Sequence, residues 1–131
     1  MVRVLIVDDF RPFRRVVCSM LLKTAALQIV GEASDGLEAV RQAEQMQPDL
    51  ILLDIGLPEL NGIAAARQIR TASPRSKIII VSQERDPDLV QEAFDVGAVG
   101  YVVKTKVASK LLTAVDAALE GKRFVSGAFS V

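Results

Sequence analysis

The sequence predicts an α/β fold in which a parallel five-stranded sheet is covered by helices on both faces. Short apolar segments alternate five times with longer amphipathic segments, which is the pattern of repeated strand and helix units. The strand segments are rich in Val, Ile and Leu without alternating polar residues, as expected for strands that are buried on both faces. A length of 131 residues, 50% of them hydrophobic, is sufficient for one domain with a substantial core.

The apolar segments and the segments that follow them define the elements in order. The predicted strands are Val2 to Val7, Ile29 to Ala33, Leu50 to Leu53, Ile78 to Val81 and Val99 to Val102. After each strand, apolar residues recur at helical spacing and predict one helix. The residues that mark these helices are, in turn, Phe13, Val16, Val17, Met20 and Leu21; Leu37, Val40 and Ala43; Ile63, Ala66 and Ile69; Val90, Ala93, Phe94 and Gly97; and Val107, Leu111, Ala114, Val115 and Ala118.

Proline and glycine positions agree with these boundaries. Pro12 is suited to the first turn of a helix, and the pair Asp35 and Gly36 predicts a tight turn. Pro74 and Gly97 are placed where helices should end. The segment 121–131 has no helical periodicity and ends on small residues, so we interpret it as a tail or the start of a connector.

Composition excludes several classes of function. Sixteen basic residues balance sixteen acidic ones, so the overall charge gives no reason to expect direct binding to nucleic acid or to an anionic membrane. The apolar runs are too short for a membrane span or a signal peptide, which predicts a cytoplasmic protein. The single Cys18 is expected to pack in the core. Because the chain has no histidine, Ser-His-Asp and Cys-His catalysis are excluded within it.

Polar side chains follow four of the five predicted strands. Asp8 and Asp9 come after the first strand, Asp54 after the third, Ser82 at the end of the fourth and Lys104 after the fifth. Each alone has an ordinary interpretation as a turn, a cap or a surface charge. Because ligands of open parallel sheets bind at the carboxyl ends of the strands, the combination predicts one functional site.

The residue types in this predicted site indicate its chemistry. Clustered carboxylates repel one another unless a cation lies among them, and oxygen ligands of this kind suit Mg²⁺. Lys104 supplies a positive charge that can pair with Asp54 or with a phosphoryl group on it, and Ser82 can donate to a phosphoryl oxygen. The set therefore predicts phosphoryl transfer to a carboxylate, with Asp54 as the nucleophile.

Longer motifs around these residues resemble a known family. The motifs are VLIVDD at 4–9, DIGLPELNG at 54–62, VS at 81–82 and GAVGYVVK at 97–104. Over residues 1 to about 123, the chain resembles the receiver domain of two-component response regulators. The segments GLEAV, GAVGYVVK and GKRFVS are more similar in sequence to the NarL/FixJ-type subfamily than to other subfamilies.

The resemblance implies a fold and a role for each site residue. The family fold is flavodoxin-like, (βα)5, a doubly wound parallel sheet with strand order 2-1-3-4-5. Asp54 would be the phosphoacceptor, and Asp8 and Asp9 would hold Mg²⁺ together with Asp54 and the backbone carbonyl of Gly56. Lys104 and Ser82 would contact the phosphoryl group. Ser82 and Tyr101 would act together as the switch pair.

The resemblance also implies partners and a domain organisation. A histidine kinase would phosphorylate Asp54, and the face formed by helix four, strand five and helix five would respond, with homodimerisation as one possible result. We expect residues 1–121 to form the receiver domain and residues 122–131 to be a tail or the start of a linker. Members of the subfamily usually carry a helix-turn-helix DNA-binding domain after the receiver, so DNA is expected to be contacted only through such a domain.

Two positions depart from the family pattern. Gln83 stands where a small residue is common, and its larger side chain is expected to affect the lifetime of the phosphorylated state. Thr105 stands where proline is common, so a cis peptide bond after Lys104 is not expected.

Two alternatives to a phosphorylated switch remain open. A receiver-like interaction module that is never phosphorylated should lack an acidic residue or the lysine, and none is missing. A phosphatase or phosphotransferase with an Asp nucleophile at the end of strand one would need a second Asp two residues later, where Phe10 stands.

Overall fold

The structure is a computed structural model that describes residues 1–126. Strands and helices alternate along the chain as predicted, and a short sixth strand is added at the end. The strands are β1 (Val2–Val7), β2 (Leu27–Ala33), β3 (Leu50–Leu53), β4 (Lys77–Ser82), β5 (Gly100–Val103) and β6 (Phe124–Val125). The helices are α1 (Arg11–Leu21), α2 (Gly36–Met46), α3 (Gly62–Ala72), α4 (Pro87–Asp95) and α5 (Val107–Leu119), with a 3₁₀ turn at Lys104–Lys106 before α5.

All six strands belong to one parallel sheet. The strand order is β2-β1-β3-β4-β5-β6, and every pairing is parallel. The predicted α/β class, the flavodoxin-like fold and the order 2-1-3-4-5 are therefore confirmed. The additional strand β6 lies within 122–131, which we had interpreted as a tail; it pairs with Gly100 and Tyr101 of β5. Residues 127–131 of that segment lie outside the described residues.

The helices cover the sheet on both faces because successive strand residues point to opposite sides. In β3, Ile51 and Leu53 pack into one cluster with α2, α3 and α4, whereas Leu50 and Leu52 pack into the other with α1 and α5. All four β3 side chains are at most 2% exposed. β3 is apolar without alternating polar residues because helices cover both of its faces.

Several local expectations are refined by the structure. The pair Asp35 and Gly36 does not form an isolated tight turn; Asp35 caps the N-terminus of α2 by accepting from the Glu38 amide at 2.8 Å. Val16 and Leu37, which we used to mark helices, are more than half exposed. Gly97 ends α4 in a left-handed conformation with φ of 112°. Within residues 1–126, no helix is both long and apolar enough to cross a bilayer.

Candidate functional site

The sheet register brings the predicted site residues to one edge. Val7 of β1 is opposite Leu53 of β3, so Asp8 and Asp54 leave the sheet side by side. Ser82 of β4 is opposite Val103 of β5, so Lys104 follows at the same edge. β1 pairs with both β2 and β3, and the strand order reverses here, which is where open α/β sheets bind ligands.

The ammonium of Lys104 lies between two buried carboxylates. Its Nζ is 2.7 Å from Oδ2 of Asp8 and 3.3 Å from Oδ2 of Asp54. Asp8 and Asp54 are only 2% and 7% exposed, whereas Asp9 is exposed. The second oxygen of Asp8 accepts from the Phe10 amide at 2.8 Å, which fixes the carboxylate at the start of α1. Two carboxylates therefore share one positive charge in a largely dry environment.

This arrangement shifts the pKa of both Asp54 and Lys104. Burial raises the pKa of Asp54, and the charge of Asp8 raises it further, although the Lys104 charge and the Gly56 amide oppose the shift. Burial alone would lower the pKa of Lys104, but its hydrogen bond to Asp8 and the charge of Asp54 outweigh burial and raise it. Because the Asp54 carboxylate is buried and one ammonium cannot fully neutralise two carboxylates, Asp54 is harder to ionise than an exposed Asp.

Three carboxylates at this edge fit a small divalent cation. One carboxylate oxygen from each of Asp8, Asp9 and Asp54 lies within 4.8 Å of the others. Oxygens on opposite sides of Mg²⁺ are separated by about 4.2 Å, twice the usual bond length, so only small side-chain adjustments are needed. A bound cation would also supply the positive charge that one lysine does not. Gly56 lines the same cleft, and the ligand role of its carbonyl stays a prediction.

The loop after Asp54 depends on Gly62, for which the sequence alone predicts no role. A Cβ on Gly62, the first residue of α3, would overlap the backbone carbonyl of Asp54. Gly62 also donates its amide to the Ile55 carbonyl at 2.7 Å. In contrast, a Cβ on Gly56 would meet no atom within 4 Å. The close backbone approach that holds Asp54 is therefore made at Gly62, and packing does not require glycine at position 56.

Ser82 and Tyr101 are both buried beside the loop that follows β4. The Ser82 hydroxyl accepts from the Glu84 amide at 3.1 Å. Tyr101 is 0% exposed and donates its hydroxyl to the Glu84 carbonyl at 2.9 Å. Burial raises the pKa of Tyr101 to about 12 against the opposing hydrogen bond to Ser82. The Tyr101 ring is therefore fully enclosed, and its hydroxyl donates to a carbonyl of the loop.

An open cleft of about 710 Å³ connects these groups. Asp9, Asp54, Ser82 and Lys104 line it together with Gly56 and the exposed Gln83. Its apolar wall is formed by Phe10, Phe13, Ile55 and Leu89. The Asp54 carboxylate is therefore reached from solvent through this cleft.

Comparison with known proteins shows which family the chain belongs to. Residues 4–116 match the family described as the response regulator receiver domain. The chain belongs to this family. The receiver domain is 36% identical over 122 residues to the transcriptional regulatory protein LiaR of Bacillus subtilis, covering 93% of this chain and 58% of LiaR. It is 37% identical over 114 residues to the chemotaxis protein CheY of Thermotoga maritima, covering 87% of this chain and 94% of CheY.

Solved structures show the same relationship. A LuxR-family two-component response regulator from Aurantimonas superposes with a TM-score of 0.93 at 31% identity, covering 98% of this chain and 92% of that one. The receiver domain of the putative response regulator NarL from Mycobacterium tuberculosis superposes with a TM-score of 0.87 at 30% identity, covering 92% and 98% of the two chains. These relatives agree with the predicted likeness to the NarL/FixJ-type subfamily.

The structure brings the predicted residues together, but two contacts with them were not foreseen. Arg14 donates to the Asp8 carbonyl at 2.6 Å and pairs with Glu32 of β2 at 3.0 Å. The ring centroid of Phe13 is 4.5 Å from the Lys104 ammonium. Phe13 appeared in the sequence only as one apolar marker of a helix, and no local pattern relates it to a lysine so far along the chain.

Proposed function

We propose that this receiver domain accepts a phosphoryl group on Asp54 from a histidine kinase and acts as a switch in a two-component system. The observation that carries the proposal is the placement of Asp54. Its buried carboxylate stands at the end of β3, within 3.3 Å of an ammonium and beside the Asp8 and Asp9 carboxylates. The other site residues then have roles that follow from their positions.

In the transfer, an Asp54 oxygen attacks the phosphorus atom of a phosphohistidine in line with the leaving imidazole. The P–N bond breaks as the P–O bond forms, and the imidazole nitrogen takes up a proton when it leaves. Lys104 supplies positive charge to the phosphoryl oxygens, and Ser82 donates its hydroxyl to one of them. Asp8, Asp9 and Asp54 would hold Mg²⁺ with the Gly56 carbonyl, and the metal would supply further positive charge when bound.

The switch would use the elements next to the site. A phosphoryl group would draw the Ser82 hydroxyl away from the Glu84 amide, and it would thereby disturb the loop whose carbonyl holds Tyr101. We propose that this change is transmitted to the face formed by α4, β5 and α5, where a partner or a second copy would bind. Because Tyr101 is already inside, the change would be in the loop and in the partners of Tyr101 rather than in the burial of its ring.

The chain spans 58% of the length of LiaR. We therefore place the output of the full-length protein outside these residues and propose a C-terminal helix-turn-helix domain that controls transcription. Residues 122–131 would lead into that domain, and only the domain would contact DNA. A cytoplasmic location, where the kinase domain and DNA are accessible, is part of the same proposal.

The test is phosphorylation by acetyl phosphate, followed by intact-mass spectrometry. We expect one phosphoryl adduct on the parent in Mg²⁺, none in excess chelator and none on Asp54→Asn. Asp116→Asn, a substitution of an exposed Asp on α5, is the matched control and should react like the parent. An adduct on Asp54→Asn, or an equal adduct in chelator, would contradict the assignment. A parent that never reacts would favour the unphosphorylated interaction module.

A further inference from the structure

The Lys104 ammonium has an aromatic neighbour as well as two carboxylates. Its Nζ is 4.5 Å from the ring centroid of Phe13, within the range of a cation–π contact. The ammonium is thus enclosed by Asp8, Asp54 and an aromatic face, and the lysine side chain is only 13% exposed. Such a contact is strengthened when the cation is withdrawn from water, as it is here.

The Phe13 ring is fixed by its own surroundings. Phe13 lies in the first turn of α1, where its amide donates to the Phe10 carbonyl at 3.0 Å. Its side chain packs against the buried cluster beneath α1 and α5. The nearby Phe10 lines the same cleft, but it is 61% exposed and belongs to neither core cluster. One ring is therefore anchored against the ammonium, while the other is presented to solvent.

We propose that Phe13 is a positioning residue for Lys104, because its ring restrains the ammonium beside Asp8 and Asp54. A lysine has four rotatable side-chain bonds, and the Phe13 ring gives its ammonium a third contact besides the two carboxylates. Where the proposed phosphoryl transfer holds, the consequence is an ammonium that is already in place when charge develops on the phosphoryl oxygens.

The first measurement needs neither a phosphoryl donor nor a metal. Lysines are labelled with a limiting amine acylating reagent in chelator, and peptide mass spectrometry gives the labelling of Lys104 relative to the exposed Lys106. We expect this ratio to rise roughly two- to fivefold in Phe13→Leu, because leucine keeps apolar volume without an aromatic face. Phe13→Tyr retains the face and should keep the parental ratio. Phe10→Leu removes the other cleft aromatic and is the matched control.

The second measurement is the rate of Asp54 phosphorylation by acetyl phosphate at saturating Mg²⁺. We expect Phe13→Leu to slow it severalfold and Phe13→Tyr to restore it, whereas Val16→Ala, at an exposed position of α1 outside the cleft lining, should leave it unchanged. An unchanged labelling ratio in Phe13→Leu overturns the inference, as does an equal rise in Phe10→Leu. A raised ratio with no phosphorylation of any protein, the parent included, supports the inference and overturns the proposed function instead. If thermal unfolding shows that Phe13→Leu is not folded, Phe13→Met takes its place with the same expectations.

Discussion

At the scale of single residues, Asp54, the proposed phosphoacceptor, lies in an environment that disfavours its charge. Its pKa is raised because burial and the Asp8 charge disfavour the carboxylate more than Lys104 stabilises it. The folded protein therefore binds a proton at Asp54 more readily than the unfolded chain does. The stability of the domain should fall as the pH rises from the pKa of Asp54 in the unfolded chain to its higher pKa in the folded protein. Above that range, the ionised Asp54 should remain destabilising.

Asp54→Asn removes this destabilisation and should stabilise the domain at neutral pH without metal. Asn has nearly the same shape without the charge, and Lys104 retains Asp8 at 2.7 Å. We expect the melting temperature at pH 7.5 in chelator to rise by roughly 2–5 °C. The difference should shrink at acid pH, where the Asp54 carboxyl of the parent is protonated. A melting temperature equal to or lower than that of the parent at pH 7.5 would show that the ion pair outweighs burial.

The role of Gln83 can also be tested by a single substitution. It is exposed and lines the cleft beside Ser82, so its side chain lies on the approach to a phosphoryl group on Asp54. Obstruction of water requires only volume, whereas orienting a water molecule for attack requires defined geometry. We therefore expect Gln83→Ala to shorten the lifetime of phospho-Asp54 severalfold with little change in stability.

The measurement for Gln83 is the decay of the phosphorylated form in excess Mg²⁺ after the donor has been removed. Arg85→Ala, a substitution of an exposed residue of the same loop outside the cleft lining, is the control. A clearly longer lifetime in Gln83→Ala would indicate that the amide orients the attacking water.

At the scale of elements, the loop between β3 and α3 is held by close backbone packing at Gly62. Any side chain there would overlap the Asp54 carbonyl, and helical backbone geometry offers no escape. Gly62→Ala should lower the free energy of unfolding by roughly 2–4 kcal/mol, as overpacking at a rigid backbone contact does. Gly56→Ala, in the same loop, should change it by less than about 0.5 kcal/mol, because its Cβ meets nothing. Urea unfolding of both variants measures the contrast, and equal effects would contradict this account of the loop.

The C-terminal strand β6 is joined to the proposed switch strand by backbone and side-chain contacts. Ser126 donates its amide to the Tyr101 carbonyl at 3.0 Å, and its buried hydroxyl accepts from the Val103 amide at 3.1 Å. Arg123 lies over the Phe94 ring of α4, with its guanidinium 4.9 Å from the centroid. The outer edge of β5 is therefore already paired, and a partner that binds the α4, β5 and α5 face meets β6 as part of that surface.

Ser126→Ala tests the strength of this attachment. The substitution leaves the buried Val103 amide without its acceptor, which should cost about 1–3 kcal/mol. Hydrogen exchange at the Val103 amide should accelerate, whereas amides in β1 should change only in proportion to global stability. Ser109→Ala, which removes an exposed hydroxyl from the start of α5, is the control. If the Val103 amide exchanges as slowly as in the parent, another group satisfies it and the attachment is weaker than its geometry indicates.

The elements also show what the sequence can and cannot predict. β1 and β3 have the predicted bounds because the apolar run of each strand ends directly at an aspartate. β6 was missed because two residues carry no periodicity, and it forms only through pairing with β5. The role of Gly62 was not predicted, since the sequence shows glycines at positions 56 and 62 but not which backbone approaches Asp54. The contact of Phe13 with Lys104 joins residues 13 and 104, and only the folded sheet brings them together.

At the scale of the whole molecule, the acidic site exists only when the sheet is assembled. Asp8 and Asp9 follow β1, and Asp54 follows β3, with α1, β2 and α2 between them in the chain. An unfolded chain does not hold these carboxylates within 4.8 Å of one another. A cation that needs all three should therefore bind the folded state and not the unfolded chain, and its binding free energy is added to the stability of the entire domain.

Mg²⁺ should consequently raise the melting temperature, and chelator should reverse the effect. At a concentration ten times the dissociation constant, the expected stabilisation is about 1.4 kcal/mol, and it should increase with the logarithm of concentration. Asp9→Asn should abolish most of this response, because it removes one of the three carboxylates of the site. The substitution should otherwise have little effect, since Asp9 is exposed and neither of the two Lys104 ion pairs involves it. Asp116→Asn, on an exposed turn of α5, should respond like the parent. Thermal unfolding of the three proteins across a Mg²⁺ titration at constant ionic strength measures this. An equal rise for all three would mean that Mg²⁺ stabilises the domain through general charge screening rather than at the three-carboxylate site.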